Sequence, residues 1–203
     1  MTAPAPRTVG VVLFPGVELL DFAGPAEVFV VAGEGRLFRV VTVAAGRAPV
    51  PTMGGLEVVP SHTFADAPPL DVVVVPGGAT GQVPPEGVAW LRRAAAAAQV
   101  TLSVCYGAFL LARAGLLDGI EATTHTWGLA DLGKAAPTCR VVTGRRVVDA
   151  GRVVSTGGVT AGIDGALHVL ERLCGTEAAR WTAEGWMEHR GPARRDADAP
   201  RPA

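Results

Sequence analysis

An α/β layered domain built on a mainly parallel central sheet is the fold class this sequence predicts, on three observations. Short β-branched runs alternate with helical segments along most of the chain. One of them, DVVVVPGG at 71–78, carries four consecutive valines, as a strand buried on both faces does. The chain has 203 residues, 49% of them apolar, enough for one domain with a substantial core. With only 18% charged residues it lacks the composition of a disordered chain.

The elements follow in order. TVGVVLF (8–14) is a strand stopped by Pro15-Gly16. A loop over 15–25 rich in leucine and carboxylates comes next. Gly24-Pro25 then opens a helix to about residue 33, since proline suits a first turn where its missing N–H needs no partner. FRVVTVAA (38–45) reads as strand, and 49–64 as an extended excursion or hairpin. After the valine strand, 86–98 is a helix by propensity, ending in five alanines. TLSVC (101–105) is a second central strand, and AFLLARAGLL (108–117) a helix interrupted near Gly115. Two valine-rich runs around Asp149-Ala150-Gly151 form a hairpin within 140–157. Helix follows at 161–174, with Ile163, Ala166, Leu167, Leu170 and Leu173 at helical spacing, and a last short helix at 176–188. The reading gives one domain over residues 1–190 and a disordered tail over 191–203, which mixes Pro, Arg and Asp.

Eighteen basic residues face nineteen acidic ones without a long run of either sign, which gives no pull towards nucleic acid or an anionic membrane. No stretch reaches the roughly 20 apolar residues of a spanning helix, and MTAPAPRT is not a signal-peptide start. Three cysteines, Cys105, Cys139 and Cys174, cannot all pair within the chain and show no CxxC spacing. The expectation is a reduced, cytoplasmic protein with no metal site and no cofactor.

In this architecture ligands gather beyond the carboxyl ends of the strands, where the loops 15–25, 76–82 and the turn at Cys105 lie. Cys105 is the strongest candidate. It closes a strand and precedes a helix, so a tight turn would present its sulfur, and the helix N-terminus would favour the thiolate. A buried structural cysteine is the competing account. Glu18 or Asp21 could serve as acid or base near that sulfur, or Asp21 could cap a helix. Gly77-Gly78 would let a ligand approach the backbone, with a free N–H for a developing negative charge, although a plain turn explains them equally well. His125 could pair with Cys105 or be structural. His62, His168 and His189 share no metal-ligand spacing.

Taken together, LFPGVELLDFAGPAEVF, FADAPPLDVVVVPGG, SVCYGAFLLARAGLLDG, ATTH and RVVSTGGVTAGIDGALHVL resemble the DJ-1/PfpI superfamily over nearly all of 8–175. Its isonitrile hydratase-like branch, and the sensor-like domain of certain AraC-type regulators, share the LLDFAGPAEVF and AGID segments. The resemblance implies a flavodoxin-like three-layer sandwich, a homodimer, a small-molecule substrate and a cysteine on a nucleophile elbow. It makes Cys105 the nucleophile and Asp21 its acidic partner, with Glu18 a neighbour. Gly78, Tyr106 and His125 then line the substrate or oxyanion pocket.

Two departures bear on the activity. The hydratase branch carries threonine directly after the cysteine, where this chain has the much larger Tyr106; PfpI-type hydrolases carry histidine there, which disfavours a protease. After about residue 190 the sequence leaves no room for a helix-turn-helix. The resemblance thus points first to hydration of an isonitrile to an N-substituted formamide. Glyoxalase-type chemistry, with His125 shuttling protons, and a ligand-binding or redox-sensing role for Cys105 are the alternatives.

Overall fold

The computed structural model describes residues 5–189. In chain order the elements are β1 (Arg7–Val12), α1 (Leu19–Val31), β2 (Phe38–Ala44), β3 (Val50–Pro51), β4 (Glu57–Val58), β5 (His62–Thr63) and β6 (Val72–Val75). Then come α2 (Pro85–Ala97), β7 (Val100–Val104), α3 (Gly107–Arg113), β8 (Glu121–Ala122), α4 (Leu129–Ala135), β9 (Arg140–Val141) and β10 (Val147–Asp149). The chain continues through β11 (Val153–Thr156), α5 (Ala161–Cys174) and α6 (Thr176–Arg180) into a π-helical segment, Trp181–Trp186.

Seven strands form one sheet in the order β10-β11-β7-β6-β1-β2-β5. Every neighbouring pair is parallel except β10 on β11, the hairpin expected around Asp149-Ala150-Gly151. Strands β6, β7 and β11 are buried at every residue. Helices α1 and α5 pack together on one face and α2 and α3 on the other, so the four valines of β6 meet no water. The mixed α/β architecture expected from the sequence is therefore present. The order reverses between β1 and β6, which sends successive connections to opposite sides and opens a crevice at the strands' carboxyl ends.

Three readings need correction or completion. Helix α1 begins at Leu19, so Asp21 lies in its first turn and Pro25 in its interior. The Gly24-Pro25 pair serves a close helix contact and not a helix start. A Cβ at Gly24 would stand 3.0 Å from Ile163 Cγ1, and one at Gly162 would stand 3.2 Å from Pro25 Cγ. The excursion at 49–64 resolves into the β3–β4 hairpin and the edge strand β5. Helix α4 and the small parallel β8–β9 pair had no periodic signal and were not expected. The tail over 191–203 lies outside the described residues, among which no helix is long and apolar enough to cross a membrane.

Candidate active site

Cys105 ends β7 and turns the chain into α3 with φ at 56°, a left-handed conformation rare outside glycine. Such strain, of order 1–3 kcal/mol, persists only where the surroundings fix it. Here the Cys105 N–H donates to the Gly157 carbonyl at 3.0 Å, and the Thr124 hydroxyl donates to the Cys105 carbonyl at 2.6 Å. Gly107 makes the turn possible, because a Cβ there would overlap the Val75 carbonyl.

Asp21 reaches the same point from the first turn of α1. It is fully buried, its Oδ2 accepts the Gly77 N–H at 3.0 Å, and its Oδ1 has no hydrogen-bond partner among the described residues. Gly77 leaves the space in which carboxyl and thiol meet. A Cβ there would lie 2.7 Å from Asp21 Oδ2, 2.7 Å from the Tyr106 nitrogen and 3.0 Å from Cys105 Cβ. Gly78, at φ 112°, could carry no side chain beside the Gly16 carbonyl and Glu18 nitrogen, and its N–H makes no hydrogen bond among the described residues.

Burial dominates the electrostatics. It pushes the Asp21 carboxyl up to about 6; the Gly77 N–H works against that rise and the nearby Glu18 charge adds to it. Burial and then the Asp21 charge push the Cys105 thiol up to about 12. The Tyr106 N–H at the start of α3 draws the thiol down, as the sequence suggested, but the larger effects outweigh it. Hence the thiol keeps its proton, beside a carboxyl that is ionised only above about pH 6.

Two participants were not foreseen. Val159, in the loop after β11, stands at φ 49°, an outlier for a β-branched residue, and its N–H favours the charged forms of both Asp21 and Cys105. Nothing in the residue type signals this. Thr124 lies in the ATTH motif, directly before the histidine that is its conspicuous residue. His125 itself stands beside the Tyr106 ring, 5.9 Å between centroids, and its Nδ1 accepts the Trp127 N–H at 3.2 Å. No hydrogen bond links it to Cys105 among the described residues.

The other candidates lie apart. His168 pairs with Asp149 and His189 with Asp164; both histidines and Asp164 line an open groove of about 1240 Å³ beside α5 and α6, which none of Asp21, Gly77, Cys105, Tyr106 and His125 lines. Cys139 and Cys174 are half-buried free thiols. Among the described residues no group of three or more His, Cys, Asp or Glu is placed to hold a metal ion.

Comparison with known proteins fixes the family. The model of the DJ-1/PfpI family matches residues 7–172. The chain belongs to the DJ-1/PfpI family. Isonitrile hydratase of Pseudomonas putida is 40% identical over 177 residues, covering 85% of this chain and 74% of that one. The HTH-type transcriptional regulator GbdR of Pseudomonas aeruginosa is 33% identical over 190 residues, 91% of this chain, which spans only 52% of the regulator. Among solved structures, a ThiJ/PfpI family protein from Pseudomonas syringae superposes with a TM-score of 0.81 at 30% identity, over 96% of this chain and 80% of that one. The chain thus resembles both an enzyme and a transcriptional regulator.

Proposed function

We propose that this protein is a cysteine-dependent enzyme acting on a small electrophile, with isonitrile hydration as the leading reaction. The observation that carries the proposal is the buried meeting of Asp21 and Cys105 across Gly77, at the sheet's reversal point. The 40% identity to isonitrile hydratase supports the choice of reaction.

In this mechanism Cys105 acts from a nucleophile elbow. As its sulfur attacks the terminal isonitrile carbon, the Asp21 carboxylate takes the thiol proton and delivers it to that carbon, leaving a thioimidate. Water then adds to the thioimidate carbon. The Cys105 sulfur departs with its bonding electrons and regains a proton, and the N-substituted formamide is released. The unpaired Gly78 N–H and the amides of Tyr106 and Val159 are the donors available to charge that develops in these steps. A homodimer and a cytoplasmic location belong to the same proposal.

Incubation with cyclohexyl isocyanide, with formamide followed by mass spectrometry, tests it. Formamide is expected from the wild type and not from Cys105→Ala; turnover that survives the substitution would remove the cysteine from the mechanism. The likeness to GbdR over 91% of the chain favours a second reading, a module that binds a small ligand without converting it. That reading gains ground if the intact protein converts no isonitrile and no oxoaldehyde.

A further inference from the structure

Four rings form a row beside Cys105. The centroids of Phe109 and Tyr106 are 5.4 Å apart, those of Tyr106 and His125 5.9 Å, and those of His125 and Trp127 4.9 Å. Phe109 closes the row at its inner end, Tyr106 follows Cys105 directly in the chain, and the outer end is Trp127, whose surface is 85% exposed. Its geometry is built into the backbone. The His125 Nδ1 holds the Trp127 N–H, and Gly128 leaves Tyr106 room, since a Cβ there would stand 2.5 Å from Tyr106 Cε1. A Cβ at Gly158 would overlap His125 Cδ2, so that ring lies against the loop whose next residue, Val159, has the N–H that favours the Cys105 thiolate.

Packing accounts for the inner rings, which rest on the core. It does not account for an indole left in water at the far end. Aromatic rings meet planar guests in offset or edge-to-face contacts, and with successive planes tilted by 45° and 67° this row offers both faces and edges, its open end lying two rings along from Tyr106.

We propose that Tyr106, His125 and Trp127 form a platform for the planar, aromatic substituent of the electrophile that Cys105 attacks. This rests on the reading of Cys105 as nucleophile and adds a substrate class: aryl-substituted electrophiles over saturated ones. The replacement of threonine by Tyr106 then begins a recognition surface, and Trp127 is its outer specificity determinant.

The test compares two reagents on one sulfur. N-phenylmaleimide and N-cyclohexylmaleimide carry the same reactive alkene with a flat or a puckered ring. Their rates of Cys105 alkylation are read by peptide mass spectrometry, with glutathione as reference thiol. The wild type is expected to favour the phenyl reagent beyond the glutathione ratio. Trp127→Ala should lower that preference by about 2- to 12-fold, the range of one aromatic pair, and Trp127→Phe should retain most of it. A wild-type ratio equal to that of glutathione, or one unmoved by Trp127→Ala, overturns the platform. Assays with phenyl and cyclohexyl isocyanide separate the two proposals. A shifted maleimide ratio without formamide keeps the platform and removes the hydration; formamide with an unshifted ratio does the reverse.

Discussion

Replacing Asp21 by asparagine should make the protein more stable at neutral pH. In the unfolded chain this carboxyl titrates at 3.8, and in the folded protein burial raises it to about 6. Between those values the native state binds more protons than the unfolded state, so stability falls as pH rises through the window. A difference of about two units, at about 1.36 kcal/mol each, gives roughly 3 kcal/mol lost by pH 7. Asparagine keeps an oxygen to accept the Gly77 N–H and cannot ionise. Urea unfolding at pH 4, 5, 6 and 7 provides the measurement. The gap between Asp21→Asn and wild type should be about 0.5 kcal/mol at pH 4 and open to at most about 3 kcal/mol in favour of the variant at pH 7. The His168–Asp149 and His189–Asp164 pairs are common to both proteins and cancel in the difference. Parallel stability curves across the range would refute the assignment of a buried, ionising carboxyl to this position.

Three further outcomes follow from the same geometry. Gly77→Ala places a methyl group between Asp21, Tyr106 and Cys105; it should abolish cysteine-dependent turnover and lower stability by about 1–3 kcal/mol, and a variant with wild-type rate contradicts the packing described. Thr124→Val removes the hydroxyl that holds the Cys105 carbonyl and should lower the urea midpoint by the equivalent of about 1–3 kcal/mol; a midpoint equal to wild type would mean that the turn needs no such anchor. If Asp21 accepts the thiol proton, kcat/KM should fall as pH drops through about 6, where the carboxyl fills; a profile flat from pH 5 to 7 would assign the proton transfer to another group.

The parts legible in the sequence were those written in residue type and period. Valine runs marked β1, β6 and β7, turn residues marked the β10–β11 hairpin, and the junction at Cys105 marked the centre of the site. The motif LLDFAGP led to Asp21, although its helix was placed too late, because proline is a strong local signal and the α1–α5 contact that accommodates Pro25 is tertiary. Val159 was illegible for a related reason: its left-handed backbone is imposed by neighbours distant in sequence. Gly77 and Gly78 were both read, but only the assembled sheet shows that Gly77 faces Asp21 and Cys105 while Gly78 faces Gly16 and Glu18.

Asp21, Gly77, Cys105 and Val159 come from four separate stretches of chain, joined only when β1, β6, β7 and β11 have all taken their places in the sheet. Non-local parallel pairing of this kind forms slowly and late in folding. Until then Cys105 is an ordinary thiol with a pKa near 9.0, and completion of the fold lifts it to about 12. Burial and the Asp21 charge therefore come to bear on the sulfur together, at the step that completes the sheet, and a chain short of that step has a cysteine without its carboxyl neighbour.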